Sequence, residues 1–175
     1  MAAAGLFGGG DASTRLENPI SSEMSHMRPS PLPGLLQAAA RNQARGFGDL
    51  ALFEVGPAFH GGEPDEQTQV AVGLLVGATG PRDVHGARRA IDAFDAKADI
   101  EAVLAAVGAP AKVQIRRDVP SWLHPGRSGA ICLGPKNVLG YFGELHPKVL
   151  DALDVKGPAV AVSYTHLRAH ETVVR

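Results

Sequence analysis

An α+β fold with an antiparallel sheet is predicted by three features of the sequence. Two pairs of apolar runs are joined by turn-forming residues: Leu50 to Val55 with Gln69 to Val76, and Gly129 to Leu133 with Val138 to Phe142. A few helical patterns lie between these hairpins and do not alternate regularly with strands. No Gly-rich βαβ phosphate loop occurs.

Taken in order, the first dozen residues are Ala/Gly-rich, which predicts a disordered N-terminal end. Ser13 to Glu17 is a short strand candidate closed by Asn18-Pro19. Pro29 to Gly34 holds three prolines, a non-helical stretch leading to a helix from about Leu35 to Arg45 that Gly46 ends. Leu50 to Val55 reads as a buried strand stopped by Gly56-Pro57, and Thr79 to Arg89 as irregular. The clearest helix has Asp95 as its expected N-cap, Ile100, Val103, Leu104 and Val107 at i, i+3, i+4 and i+7, and Gly108 as its stop. Lys112 to Arg116 alternates as a half-exposed strand should. Gly134-Pro135-Lys136-Asn137 turns the second hairpin, Pro147 opens a short helix reaching Leu153, and Ala159 to Val162 is the last strand candidate.

Composition narrows the function. The 175 residues suffice for one domain with a real core, and 45% hydrophobic content is ordinary for a globular protein. Seventeen basic and 18 acidic residues give a net charge of −1, which argues against a dedicated nucleic-acid-binding module. Aromatics make up 5%, too few for a stacking platform. No run approaches the roughly 20 apolar residues of a membrane-spanning helix, and the apolar opening lacks the basic region of a signal peptide. The lone Cys132, in an apolar run, reads as a small buried hydrophobe, and a cytoplasmic setting is expected.

Three stretches carry a resemblance: Asn18 to Leu36, with Arg28-Pro-Ser-Pro-Leu-Pro-Gly34; Leu52-Phe-Glu-Val-Gly-Pro-Ala-Phe59; and His124-Pro-Gly-Arg-Ser-Gly129 with Gly140-Tyr-Phe-Gly-Glu-Leu-His-Pro-Lys-Val-Leu150. In sequence, order and spacing they resemble the β subunit of bacterial phenylalanyl-tRNA synthetase. The resemblance implies a class II aminoacyl-tRNA synthetase-like core, an antiparallel sheet flanked by helices, over residues 13–162. It implies an α subunit as partner in an α₂β₂ heterotetramer. That α subunit makes phenylalanyl-adenylate from ATP and transfers phenylalanine to tRNA(Phe), with ATP and magnesium as cofactors of the whole complex and none for this fragment.

The resemblance also implies an inactive copy. Class II catalysis neutralises ATP phosphates with arginines, one of them in a Phe-Arg-x-Glu pattern at a strand end. Here that strand ends Phe59-His60-Gly61-Gly62, without the arginine or the glutamate. A histidine does not replace a permanent bidentate guanidinium, and electrostatic stabilisation of phosphate is the main tool of such transfer. No catalytic, cofactor-binding or metal residue is therefore assigned. Two departures from the family stand out. Pro31 occupies a leucine position and is expected to loosen the start of the following helix. Ser163 to Thr172 does not look like the family and resembles a translated sequencing-adapter tail, so 163–175 are expected to be non-native.

Several residues invite functional readings. His124 and His146 each precede a proline, lack a second ligand at metal spacing, and are expected to cap turns through ring hydrogen bonds. His26 near Ser22 and Ser25 suggests a base–nucleophile pair without an oxyanion-hole motif. Asp92, Asp95, Asp99 and Glu101 suit a helix start. Arg88-Arg89 and Arg116-Arg117 read as solvated surface, and Trp122 as a loop anchor, while His85 sits in no motif. Two rivals remain: a diverged class II ligase using Arg28, Arg41 or Arg127, and a free-standing binding module.

Overall fold

A computed structural model describes residues 5–9, 12–20, 25–80, 84, 88–109, 112–135 and 137–164. Six strands form one sheet: β1 (Leu50–Phe59), β2 (Gln67–Val76), β3 (Gln114–Arg116), β4 (Leu123–Leu133), β5 (Asn137–Leu145) and β6 (Ala159–Tyr164). Their spatial order is β1-β2-β6-β5-β4-β3, and every neighbouring pair is antiparallel. Among the described residues three helices flank the sheet: α1 (Leu32–Gln43), α2 (Ala93–Ala106) and α3 (Pro147–Ala152). The predicted α+β class holds.

β6 is last in sequence and central in space. All six of its residues are buried, because both faces are covered. Ala159 and Ala161 join the cluster on one face, with Leu32, Leu35, Leu36 and Ala39 of α1, Val72, Leu74 and Val76 of β2, and Val149 of α3. Val160, Val162 and Tyr164 join Ile100 and Leu104 of α2 with Ile131 and Phe142 on the other. The alternation of strand side chains thus sends successive residues into two separate cores. Each fully buried Leu or Ile stabilises by roughly 1.5–3 kcal/mol.

Several sequence expectations are corrected. α1 begins at Leu32, three residues early, with Pro31 itself as N-cap at φ −68°. Pro31 does not loosen the helix: its carbonyl accepts from the Gly34 and Leu35 amides, and its missing donor is one that no helical bond requires. Gly56-Pro57 does not stop β1, which continues to Phe59. Pro57 is tolerated because β1 is an edge strand. Residues 12–14 form a 3₁₀ turn in place of a strand, followed by a single bridge from Arg15 to His26. Asp92, not Asp95, caps α2, and Asp95 completes a reciprocal capping box. β4 starts six residues before the expected Gly129, and its pairing with β5 shifts register between Leu123 and Ser128. Phe7, within the end expected to be disordered, is 8% exposed and packs on Trp122 with ring centroids 5.9 Å apart.

Candidate functional site

The end of the β1–β2 hairpin is where the sequence pattern would place phosphate-binding groups. β1 delivers Phe59 and His60 to this end, and the Phe59 amide donates to the Arg28 carbonyl. The turn is closed by its own side chains. Glu63 caps the 3₁₀ turn Pro64–Glu66, and Glu66 accepts from the Glu63 amide at 3.1 Å. The His60 imidazole pairs with the Thr68 hydroxyl at 3.2 Å, and its amide donates to the Glu66 carbonyl. Glu63, Asp65 and Glu66 give this end three carboxylates opposite one imidazole. Such a surface repels a triphosphate, so these residues do not fit ATP.

The arginines considered as substitutes do not converge here. Arg28 Nη1 binds Glu54 and its Nε donates to the Pro57 carbonyl at 3.1 Å, pinning the edge strand. Arg127 Nε lies 2.6 Å from Glu144 across β4 and β5. Arg41 is exposed in the last turn of α1. Arg116 borders a cavity of about 260 Å³ with Asp118, Cys132 and Tyr141, but donates to the Pro135 carbonyl at 3.0 Å. Burial, then the charge of Asp118, raises the Tyr141 phenol above its ordinary pKa. Cys132 is buried, as its apolar context predicts.

The histidines expected to cap turns do so. His124 Nδ1 accepts from the Gly126 amide at 3.1 Å, and His146 Nδ1 from the Lys148 amide at the start of α3 at 3.2 Å. The two rings also stack, with centroids 6.5 Å apart, a contact the sequence spacing gave no sign of. Ser25 Oγ and His26 Nδ1 meet at 3.0 Å as chain neighbours. Ser22 and His85 lie outside the described residues. No group of three or more metal-ligating side chains forms among the described residues.

Arg88 and Arg89 are not simply solvated surface, as the sequence reading had them. Arg88 Nη2 reaches both carboxylate oxygens of Asp49, and Arg89 grips Asp95 through two nitrogens at 2.6 and 2.7 Å. These guanidiniums hold the Asp49 and Asp95 carboxyls below the usual carboxylate range. Together the pairs strap the segment before α2 to both β1 and the helix. Asp49 is a residue the sequence reading did not single out; nothing in its local pattern marks a partner 39 positions away. On α2, Lys97 pairs with Glu101 at 3.2 Å.

Comparison with known proteins settles what this arrangement is related to. Residues 5–163 match the family described as "Phenylalanyl tRNA synthetase beta chain CLM domain". The chain belongs to that family. The phenylalanine–tRNA ligase beta subunit of Ruegeria pomeroyi is 76% identical over 161 residues, covering 92% of this chain and 20% of the relative. That of Cereibacter sphaeroides is 70% identical over 160 residues, covering 91% and 20%. The chain therefore spans about a fifth of the curated relatives it matches. In fold, a pyrrolysyl-tRNA synthetase of Desulfitobacterium hafniense superposes with a TM-score of 0.59 at 13% identity, over 85% of this chain and 50% of that one. The class II synthetase-like core expected from the resemblance is the fold observed.

Among phenylalanyl-tRNA synthetase β chains, then, this piece is a sheet domain whose hairpin end is acidic and closed. No helix among the described residues is long and apolar enough to cross a membrane.

Proposed function

We propose that the chain is a structural, non-catalytic domain of phenylalanine–tRNA ligase in the cytoplasm. It supports attachment of phenylalanine to tRNA(Phe) by packing within an α₂β₂ assembly, in which the α subunit carries out the ATP- and magnesium-dependent chemistry. The observation that carries this reading is the hairpin end: His60-Gly61-Gly62 followed by Glu63, Asp65 and Glu66, locked by its own capping box. A site that must gather phosphate charge needs preorganised cations; the guanidinium of Arg28 beside this end is matched by Glu54, and that of Arg127, on β4, by Glu144. Of the end expected to be non-native, 163–175, the residues from 164 on stand in this reading as a tail foreign to the family, the family match reaching residue 163.

Co-purification with an α subunit from a related bacterium, together with ATP–pyrophosphate exchange, tests it. A stable complex and no exchange by the chain alone are expected. Exchange by the isolated chain would overturn the non-catalytic assignment, and a folded chain that does not bind the α subunit would overturn the interface role.

A further inference from the structure

The same local arrangement occurs twice at the open end of the β4–β5 hairpin. His124-Pro125-Gly126 and His146-Pro147-Lys148 are both His-Pro-x triplets. A proline has no N–H, so the first amide such an imidazole can cap is that of the third residue. Each ring does this: Nδ1 accepts from Gly126 in one triplet and from Lys148 in the other. Leu123 pairs with Leu145, and the His146 amide donates to the Trp122 carbonyl at 2.9 Å, which sets the two triplets diagonally across the strands. The offset makes the rings neighbours, stacked with centroids 6.5 Å apart and planes at 27°.

An Nδ1 that accepts carries no proton, so each neutral ring holds its one N–H on Nε2. A protonated Nε2 has no lone pair for a metal ion, which sets aside coordination by the pair. The charged side chains on the elements that carry the rings are Arg127 on β4, Glu144 on β5, and Lys148 and Asp151 on α3. Arg127 and Glu144 answer each other at 2.6 Å, and Asp118, on the segment entering β4, borders the cavity beside Tyr141. Neither imidazole has a carboxylate partner among the described residues. A proton added to a ring goes to Nδ1, opposite the amide N–H it had accepted. Two donors then face each other, and the cap is lost. Two imidazoliums at this spacing also repel, so the first proton opposes the second.

The two caps hold different things. His146 is the N-cap of α3, whose Val149 is buried in the core with α1. His124 stands where β4 breaks register with β5 between Leu123 and Ser128, and its carbonyl accepts from the Ser128 hydroxyl at 2.5 Å. We infer that the stacked pair is an acid-sensitive latch. Proton uptake by one ring releases its own cap, and the charge it leaves resists proton uptake by the other. The start of α3 and the register break of β4 are closed while both rings are neutral, and they open one after the other as pH falls.

The test follows the isotope-labelled chain by NMR from about pH 8 to about pH 5, the range in which imidazoles take up protons. At the upper end both rings are expected in the Nε2–H form. As pH falls, exchange of the Gly126 and Lys148 amides, corrected for the intrinsic effect of pH, should quicken about tenfold, each at its own pH. His146→Asn supplies a neutral cap: the Lys148 amide should then stay protected throughout, and the Gly126 amide should open at a higher pH than in the unaltered chain. His124→Asn should do the converse, and it serves where His146→Asn does not fold. Amides that stay protected at the lower end, or an amide step that the substitution of the opposite histidine leaves in place, overturn the latch.

Discussion

The Tyr164 hydroxyl donates to the backbone carbonyl oxygen of Asp99 at 3.2 Å, tying the end of β6 to α2. Burial, then the charge of Asp99, pushes this phenol up to about 12. A folded-state pKa above the unfolded value gives stability that is complete below about pH 10 and is lost as pH rises towards 12. Ultraviolet titration of the chain's two tyrosines should show one ionising near that upper value. Tyr164→Phe should remove that step and flatten the alkaline loss of stability; an unchanged titration would mean that Tyr164 is not held as described.

Acid should act on the strap between β1 and α2. Asp49 and Asp95 are held low, first by hydrogen bonds from Arg88 and Arg89. Their contribution is present above the ordinary carboxylate range and is lost as pH falls through their lowered values. Urea midpoints should therefore drop below about pH 4, and less steeply in Arg88→Ala/Arg89→Ala. These pairs sit at the surface, so added salt should shrink the difference between the two proteins.

Removing the α2 cap should weaken the helix without dissolving the sheet. Asp92 accepts from the Phe94 amide at 2.8 Å and the Asp95 amide at 3.3 Å. Asp92→Ala should lower stability by about 1 kcal/mol in chemical denaturation, whereas Asp92→Ser should keep most of it. Equal losses in both variants would count against the capping role.

Gly143 is where β4 and β5 approach too closely for a side chain. Its φ is 141°, and a Cβ there would lie 2.4 Å from the Ser128 Cα. Gly143→Ala is expected to destabilise by about 3 kcal/mol, combining backbone strain with a clash that neither strand can relieve. Gly134→Ala has φ 71° and open space around it, so it should lose only about 1 kcal/mol. Similar unfolding midpoints for the two would show that the approach is relieved elsewhere.

Most of the fold was legible because local rules and burial agreed. The period of Ile100, Val103, Leu104 and Val107 marked α2, and Gly108, at φ 71°, stops it as expected. What misled were residues whose local signal points one way and whose neighbours another. Gly56-Pro57 carries a turn signal, yet an edge position removes the need for the proline's donor. Leu50 to Val55 is apolar on both sides and so reads as doubly buried; only the Leu50 and Leu52 side meets α1. Asp49 with Arg88, and His124 with His146, are partnerships made by topology and are silent in the chain itself. The hairpin end was legible, because Phe59-His60-Gly61-Gly62 states its lack of arginine outright.

The central position of β6 has a consequence for how the domain is made. The β1–β2 hairpin and the β3–β4–β5 meander share no strand pairing until β6 arrives between them, with Ala71–Val76 on one side and Gly140–Glu144 on the other. During synthesis these two halves emerge from the ribosome as separate ribbons, each with an unzipped inner edge. Closure waits on β6, so a nascent chain stopped before Ala159 would be two sticky fragments awaiting a chaperone.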